Sequence, residues 1–312
     1  MRSYSLIAPA KINLYLQIVG DRSDGFHELV MVLQSIELAD VVTVRPIGTE
    51  AIRVWCDNPD VPQDQTNLAY KAADLMVREF PDYFAKFGGV EIKIQKRIPM
   101  GAGLAGGSSN AAAVLVGLDL MWNLGLTHSD LQELGATLGS DIPFCISGGT
   151  SLATGRGEQL DGLPDLHNIY VVLAKYRDLP ISTPWAYQTY RQQFGDTYPK
   201  SASDVEARKQ QSRGMMAAIA QQNLAQIGQL LHNDLERVVL PEYPQVQQLR
   251  DRFQSLGVLG TMMSGSGSTV FGLVESHAQA EQVKDQMTAI ADPNLDLWVT
   301  RFCTSGVRLA PQ

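Results

Sequence analysis

The sequence predicts an α+β fold in two domains, and three observations lead to this prediction. The chain has 312 residues, which is enough for one large domain or two ordinary ones. Strand patterns come before helix patterns in each half of the chain, instead of alternating with them one by one. A new unit of strand and helix patterns begins near residue 160. We therefore predict an N-terminal domain over residues 1–160 and a C-terminal domain over residues 161–312.

In the N-terminal domain, apolar residues at every second position predict strands, and apolar residues at helical spacing predict helices. The second helix follows a glycine-rich segment, with Ser108 or Ser109 as its N-cap and Gly125 at its end. The third helix begins with a capping box of Ser129 and Gln132. The predicted strands cover residues 11–19, 41–47, 51–55 and 90–95, and the predicted helices cover 66–80, 108–125 and 129–139.

The C-terminal domain begins with a strand pattern and continues mainly with helix patterns. A polar stretch interrupts them, and its composition predicts a flexible insertion near residues 190–214. A turn-rich segment with several glycines covers residues 262–274. The predicted strands cover residues 168–175 and 297–306, and the predicted helices cover 183–194, 223–236, 244–257 and 276–291.

Charge and composition exclude several classes of protein. The formal net charge of −8 argues against a nucleic-acid binder, because such proteins carry a basic surface against the phosphates. No stretch has the roughly 18 uninterrupted apolar residues of a membrane helix, so we expect no membrane partner. Cys56, Cys145 and Cys303 lie far apart, which fits free thiols in a reducing compartment. No zinc-type spacing is present, and we predict no metal ligands. We expect a cytoplasmic protein (bacterial cytosol, or plastid stroma for a mature form) that is a monomer or weak homodimer.

Residues 99–112, PMGAGLAGGSSNAA, contain glycines at the spacing G-x-G-x-x-G. This spacing is typical of dinucleotide-binding domains, which also need an acidic residue at the end of the following strand. The acid at about that distance, Asp119, lies inside a predicted helix, and the next element is another helix. The context therefore disfavours an NAD-dependent dehydrogenase.

The same stretch nearly matches the nucleoside-triphosphate loop G-x-x-x-x-G-K-[ST], but Gly107 stands where that motif has lysine. Glycine-rich backbone and a helix N-terminus hold phosphate even without the lysine, because their N–H groups and the helix dipole attract anions. A glycine-rich turn that binds no ligand is the alternative. A phosphate site here requires a positive charge from another part of the chain.

Lys11 is the candidate for that charge. Strand alternation directs Ile12, Leu14, Leu16 and Ile18 toward the core, so Lys11, Asn13, Tyr15 and Gln17 share the opposite face. A solvated sheet face is the alternative interpretation. Asp141 stands before Pro143 in an apolar turn, where it either caps a backbone N–H or deprotonates a substrate hydroxyl group.

Three segments together resemble the motifs of the GHMP kinase superfamily: residues 8–20, 99–112 and 262–272. The resemblance extends over nearly the whole chain. It implies a two-domain GHMP kinase fold of mixed sheets and helices, with the active site in the cleft between the domains. It also implies ATP as co-substrate, Mg²⁺, and transfer of a phosphoryl group to an alcohol. The family places a lysine and an aspartate at the reacting hydroxyl group, and these match Lys11 and Asp141.

Other segments resemble the branch of this superfamily that phosphorylates a cytidyl diphosphate alcohol in non-mevalonate isoprenoid synthesis. These segments are residues 21–29, 138–158, 181–187 and 232–239. The resemblance implies that Phe26, which stands where relatives often have tyrosine, stacks on the cytosine together with Tyr187. A surface loop for His27 and core packing for Tyr187 are the alternatives. The implied substrate-binding residues are Asn13, Phe26, His27, Thr183, Pro184 and Tyr187.

The ATP contacts implied by the family fall on the glycine loop and on two flanking positions. Ala102 and Ala105 stand where many relatives have glycine, and alanine resists a positive φ, so we expect neither position to need one. For Lys96, an exposed charge on a strand is the alternative. The implied ATP-binding residues are Asn67, Lys96, Pro99, Met100, Gly101, Ala102, Gly103, Leu104, Ala105, Gly106, Gly107, Ser108, Ser109 and Asn110.

Two other functions are the alternatives to this interpretation. Another small-molecule kinase of the superfamily, of the homoserine or mevalonate type, shares the three motifs. An aromatic pair such as Phe26 and Tyr187 favours a nucleoside over those small aliphatic alcohols. A non-catalytic nucleotide-binding regulator is expected to lack the pair Lys11 and Asp141, and both are present.

Overall fold

Two β-sheets and the helices packed on them form the protein, in a computed structural model that describes residues 2–289 and 292–311. The larger sheet has eight strands and the smaller has four. The strands are β1 (Tyr4–Asp21), β2 (His27–Ile47), β3 (Ile52–Cys56), β4 (Gly89–Gln95), β5 (Thr150–Gly155), β6 (Gln159–Gly162), β7 (Tyr170–Tyr176), β8 (His232–Asn233), β9 (Gly260–Met263), β10 (Val270–Val274), β11 (Leu295–Arg301) and β12 (Arg308–Leu309).

The larger sheet is built on the long antiparallel pair of β1 and β2. Its strands follow the order β12-β1-β2-β4-β3, with β5 and β6 continuing from the first half of β2 and β8 beside β1. The pairs β3–β4 and β1–β8 are parallel and the other pairs are antiparallel, so the sheet is mixed as expected. The smaller sheet is antiparallel throughout, in the order β11-β7-β10-β9. Residues of the predicted C-terminal domain thus enter the larger sheet through β8 and β12.

The helices cover the two sheets and supply most of the remaining core. α3 is apolar around most of its circumference, because it lies between the larger sheet and its neighbours α1 and α5. The helices are α1 (Leu68–Glu79), α2 (Pro81–Phe87), α3 (Gly106–Trp122), α4 (His128–Leu138), α5 (Ile142–Ser147), α6 (Thr183–Phe194), α7 (Ala202–Lys209), α8 (Arg213–Ala220), α9 (Leu224–Gln229), α10 (Glu236–Glu242), α11 (Pro244–Ser255) and α12 (His277–Thr288), with short 3₁₀ turns at Gly195–Thr197 and Gln210–Ser212.

β1 differs from the predicted half-buried strand in two ways. Both of its faces are covered, so the four polar residues expected on a solvated or open face are all buried, Tyr15 and Gln17 among them. A bulge between Asn13 and Tyr15 also changes the phase of the alternation. Ile12 and Leu14 pack in one apolar cluster together with Tyr15, whereas Leu16 and Ile18 pack in another. The predicted common face therefore ends at Asn13.

Several predicted helix ends were wrong by a few residues. Neither Ser108 nor Ser109 caps α3, which begins at Gly106 behind a left-handed residue with no side-chain cap. The same helix ends at Trp122, before Gly125. The capping box of α4 is formed by Thr127 and Asp130, not by Ser129 and Gln132. The predicted helix 223–236 is interrupted by β8, and the end of the predicted helix 276–291 falls on residues 290–291, outside the described residues.

Across the described ranges, 2–289 and 292–311, no helix is both long enough and apolar enough to span a lipid bilayer.

Candidate active site

A cavity of about 770 Å³ opens where β1, the start of α3 and the start of α6 meet. It gathers nearly every residue that the sequence suggested, although those residues come from six separate segments of the chain. Ser109 is the exception, because its buried hydroxyl donates to the carbonyl oxygen of Pro9 at 2.7 Å. The predicted residues that line the cavity are Lys11, Asn13, Phe26, His27, Asn67, Lys96, Pro99, Met100, Gly101, Ala102, Gly103, Leu104, Ala105, Gly106, Gly107, Ser108, Asn110, Asp141, Thr183, Pro184 and Tyr187.

The glycine loop of residues 99–107 adopts left-handed backbone at three positions. Gly101 and Gly103 have φ values of 55° and 71°. Ala105 has φ 56°, so the expectation that alanine marks a position without positive φ was wrong there. A left-handed alanine costs on the order of 1–2 kcal/mol, and the loop carries this strain immediately before α3. Ala102 is absent from the residues with positive φ, as expected.

The second glycine turn, residues 264–267, packs directly against this loop. Only glycine fits at Gly103, since an added Cβ would lie 2.0 Å from the carbonyl oxygen of Ser264. The Ser264 hydroxyl donates to the carbonyl oxygen of Gly103 at 3.0 Å. The buried side-chain amide of Asn233 in turn donates to the carbonyl oxygens of Met263 and Gly265, both at 2.8 Å. The sequence interpretation missed Asn233, which lay inside a segment predicted as helix.

Asp40 in β2 is the central acceptor beneath the loop, and the sequence interpretation missed it. Its side chain is fully buried and forms an ion pair with the Lys96 ammonium. It also accepts from the backbone N–H of Arg97 at 2.6 Å and of Ile98 at 2.8 Å, and from Asn110 at 2.8 Å. Lys96 is therefore not an exposed strand charge. Its ammonium lies so close to the start of α3 that a Cβ on Gly106 would be 2.8 Å away.

Lys11 is a buried cation without a carboxylate partner in the described part of the chain. Its side chain is 5 % exposed, and its ammonium donates to Asn13 Oδ1 at 2.8 Å. The Asn13 amide contacts Met31 Sδ at 3.5 Å, which orients its oxygen toward Lys11. Lys11 also donates its backbone N–H to the carbonyl oxygen of Leu104 at 3.1 Å, so strand and loop are joined. A buried, unpaired charge is costly, and an anion in the cavity would compensate it.

Asp141 also lines the cavity, immediately before the first residue of α5. Its carboxylate caps no backbone N–H of that helix, so the alternative of a purely structural cap fails. No hydrogen bond or ion pair reaches this carboxylate from residues 2–289 or 292–311, and Lys11 is not ion-paired with it. Among the described residues, the cavity thus contains an ammonium without a carboxylate partner, that of Lys11, and a carboxylate without a hydrogen-bond or ion-pair partner, that of Asp141.

The far end of the cavity is formed by aromatic and basic side chains. Phe26 is 51 % exposed in the turn between β1 and β2, and the Arg156 guanidinium lies over its ring at 5.2 Å. The rings of His27 and Tyr187 are 5.2 Å apart at 34°. Arg191 pairs with Asp21 at 2.8 Å and donates to the carbonyl oxygen of Gly25. Arg156 and Arg191 were not singled out from the sequence, because each is an arginine in a polar stretch.

His27 is buried, contrary to the surface-loop alternative. Burial lowers its pKa, the positive charge of Arg191 lowers it further, and Asp21 opposes the change. Its Nε2 is 3.5 Å from Asp21 Oδ1 but makes no hydrogen bond within the part of the chain that the structure describes. A neutral imidazole with a free ring nitrogen is suited to read the polar edge of a bound base.

The described residues contain no group of three or more His, Cys, Asp or Glu side chains placed to bind a metal ion. Mg²⁺ does not require such a group, because it keeps several water ligands and binds mainly through substrate phosphates. Ser108, which follows the glycine loop, lines the cavity and carries a hydroxyl oxygen.

Two family models match this chain. The GHMP kinases N terminal domain matches residues 67–149, and the GHMP kinases C terminal matches residues 215–292. Between them they include the glycine loop, Asp141 and the second glycine turn.

Curated relatives match over the full length. A 4-diphosphocytidyl-2-C-methyl-D-erythritol kinase of Trichodesmium erythraeum (strain IMS101) is 62 % identical over 99 % of this chain and 100 % of its own. The protein of the same name from Nostoc punctiforme (strain ATCC 29133 / PCC 73102) is 63 % identical over 99 % of both chains.

Among the solved structures, one is similar in both sequence and fold, and another is similar in fold alone. A crystal structure of 4-(cytidine 5'-diphospho)-2C-methyl-D-erythritol kinase has a TM-score of 0.74 and 32 % identity, covering 96 % of this chain and 98 % of that one. A homoserine kinase from Cytophaga hutchinsonii ATCC 33406 has a TM-score of 0.76 at 18 % identity, covering 99 % and 98 %. The second similarity concerns the fold alone.

Proposed function

The chain belongs to the GHMP kinase family, in its 4-diphosphocytidyl-2-C-methyl-D-erythritol kinase branch, and from this premise we propose how its cavity performs the reaction. The reaction transfers the γ-phosphoryl group of ATP to the 2-hydroxyl group of 4-diphosphocytidyl-2-C-methyl-D-erythritol. The products are the 2-phosphate and ADP, in the non-mevalonate route to isoprenoid precursors.

A single observation supports this assignment most strongly. The buried Lys11 ammonium and the unpartnered Asp141 carboxylate face the same cavity as a glycine loop at a helix N-terminus. The carboxylate takes or orients the proton of the attacking hydroxyl group, and the ammonium stabilises the negative charge that develops on the reacting oxygens. Asn13 holds the Lys11 ammonium in place through the 2.8 Å hydrogen bond.

The ATP triphosphate binds, in this proposal, along the loop from Pro99 to Ser108. Backbone N–H groups and the N-terminus of α3 supply the positive potential that a Walker lysine supplies elsewhere. Lys96 is already neutralised by Asp40, so it acts on the nucleotide as a hydrogen-bond donor near the base or ribose, together with Asn67. Ser108 is the residue that we assign to Mg²⁺, which would neutralise part of the charge on the triphosphate.

The cytidine lies, in this proposal, at the other end of the cavity. Phe26 and Tyr187 supply aromatic faces for the base, and His27 reads its polar edge. Thr183 and Pro184 at the start of α6 line the path between the two ends. The Thr183 hydroxyl is hydrogen-bonded to that of Ser266 at 2.7 Å, which ties this wall to the second glycine turn.

The decisive experiment supplies purified protein with ATP and Mg²⁺ and follows the formation of ADP with three alcohols in parallel. We expect turnover with 4-diphosphocytidyl-2-C-methyl-D-erythritol and none above background with homoserine or mevalonate. ADP formation with homoserine or mevalonate alone would assign the chain to another small-molecule kinase. Absence of turnover with the cytidyl substrate would refute the proposed substrate.

Asp141→Asn tests the assigned chemistry. The amide keeps the size of the side chain but accepts no proton, so we expect kcat to fall by about 10²–10⁴-fold with ATP binding nearly unchanged. Asp161→Asn, an exposed carboxylate on β6, serves as the matched control and should retain full activity. A near-normal kcat for the Asp141 variant would remove this carboxylate from the mechanism.

A further inference from the structure

The turn between β5 and β6, residues 154–158, is shaped around one arginine. Gly155 and Gly157 have φ values of 71° and 106°, and the side-chain carboxylate of Glu158 accepts from the backbone N–H of Arg156 at 2.8 Å. The Arg156 guanidinium donates from Nη2 to the carbonyl oxygen of Ala136 at 2.9 Å. The residue is therefore held on both sides, by its own turn and by the end of α4.

This turn lies between the two ends of the cavity. The Arg156 guanidinium lies over Phe26. Phe26 marks the end of the cavity where we place the cytosine, here called the base end, and the glycine loop marks the phosphate end. A Cβ on Gly157 would lie 3.7 Å from that of Ser140, the neighbour of Asp141. Arg156 itself lines the cavity. A substrate with its base at Phe26 and its hydroxyl group at Asp141 must carry its diphosphate across the intervening space.

The basic residues of the cavity differ in how far they are already neutralised. Of the described residues that line it, Lys11, Lys96, Arg156 and Arg191 are basic. Lys96 is paired with buried Asp40, and Arg191 is paired with Asp21 at 2.8 Å. The nearest carboxylate oxygen to Arg156 Nε is on Glu158 at 3.8 Å, which is beyond hydrogen-bond distance. In the contacts among residues 2–289 and 292–311, Nε and Nη1 of Arg156 form no hydrogen bond.

We propose that Arg156 is a substrate-binding residue that holds the diphosphate of the cytidyl substrate while its guanidinium lies on Phe26. The inference rests on the proposed function and adds a specificity determinant to it. A guanidinium donates two parallel N–H groups to phosphate oxygens, one from Nη2 and one from Nε or Nη1, which a lysine does not do. Nη2 of Arg156 has a second N–H besides the one bonded to Ala136, so such a pair is available. Arg156 thereby distinguishes a nucleoside diphosphate ester from a nucleoside or a small alcohol.

Binding of cytidine and of CDP, each measured by calorimetry, tests this without turnover. A non-hydrolysable ATP analogue fills the ATP site throughout, so that CDP reports on the substrate site alone. For the unaltered protein we expect CDP to bind more tightly than cytidine. In Arg156→Gln we expect CDP affinity to fall about 10- to 100-fold while cytidine affinity falls much less. Arg156→Lys should recover only part of the loss, because the charge remains but the planar fork does not.

The control variant is Arg177→Gln, which removes an exposed arginine paired with Asp296 on the smaller sheet and should leave both affinities unchanged. If Arg156 only supports Phe26, the Gln variant loses cytidine and CDP affinity by the same factor, and that result overturns the proposal. An unchanged CDP affinity overturns it as well. Failure of the proposed function gives a different pattern, in which the unaltered protein binds neither cytidine nor CDP.

Discussion

The two ends of the cavity are held in place by different kinds of interaction. At the phosphate end, Asp40 is fully buried and accepts from four donors, and the glycine loop is in backbone contact with β1 and with the second glycine turn. At the base end, the turn that carries Phe26 is held by ion pairs whose side chains are partly exposed. Buried contacts of this kind are rigid and costly to break, whereas exposed ion pairs contribute little individually.

Two of the partly exposed ion pairs at this end involve the segment expected to be a flexible insertion. Within residues 190–214, Arg191 pairs with Asp21 at 2.8 Å and Lys209 pairs with Glu28 at 2.7 Å. The ring of Tyr198 meets that of His27 edge-on at 6.2 Å. This segment contains α7 and lies against the β1–β2 turn, so it supports the residues that we assign to cytosine. Substitutions of surface residues should therefore change the position of the base end but not that of the phosphate end.

Asp40→Asn is expected to have the largest effect, because it leaves the Lys96 ammonium buried beside an uncharged side chain. We expect the free energy of unfolding to fall by about 3–5 kcal/mol, measured by urea denaturation. Asp21→Asn breaks an exposed pair at the base end and should cost no more than about 1 kcal/mol. Equal losses for the two variants would remove the distinction between the ends.

Phe26→Ala should weaken binding of the cytidyl substrate without affecting the phosphate end. Stacking of a base on an aromatic side chain contributes about 1–3 kcal/mol, so we expect KM for that substrate to rise roughly 10-fold or more. KM for ATP and kcat should change far less. Trp55→Ala, which removes an exposed aromatic on β3 outside the cavity, is the matched control. An unchanged KM would mean that the base binds elsewhere.

Lys209→Gln tests whether the insertion positions the base end. The ion pair with Glu28 is worth about 0.2–1 kcal/mol, so KM for the cytidyl substrate should rise by no more than about 5-fold and depend less on salt concentration. Lys200→Gln, in the same segment and without an ion pair among the described contacts, should behave as the unaltered protein. Lys209→Arg should restore KM. A rise of the same size in KM for ATP would indicate that the substitution disturbs the whole cavity and not only the base end.

The smallest expected effect is a pH dependence of stability from His27. Burial lowers the pKa of His27 in the folded state, so the unfolded chain binds its proton first as pH falls below about 6.5. Its contribution to the free energy of unfolding is complete above that pH and is lost as pH falls toward the folded-state pKa. Denaturation at pH 7.5 and 5.5 should show a smaller pH dependence in His27→Asn than in His128→Asn, the exposed control. If the free energy of unfolding depended equally on pH in the two variants, the lowered pKa of His27 would be contradicted.

Residue type and spacing within short segments made the glycine loop, Lys11 and Asp141 candidates, and the family resemblance implied their roles. The structure brings them to one cavity, and their roles stay predictions. Asp40 was missed, since nothing in the strand around it indicates that its partners are 56 to 70 residues away. The sequence did not predict which face of β1 each residue after Asn13 occupies. A bulge shifts the alternation there, and the order of apolar and polar residues does not reveal a bulge. The start of α3 was misplaced because left-handed Ala105 takes the place of a serine cap.

The pairing of β1 with β12 has a consequence for how the chain is made. Leu6 lies opposite Leu309 and Ile7 opposite Arg308, so one edge of the first strand is covered by residues near the other end of the chain. During synthesis, β1 and its Lys11 emerge from the ribosome long before Arg308 and Leu309 are added to the chain. Until then the strand presents an open edge of the kind that pairs with other chains. The strand that carries Lys11 therefore leaves the ribosome well before its partner β12 and is fully paired only after β12 has been made.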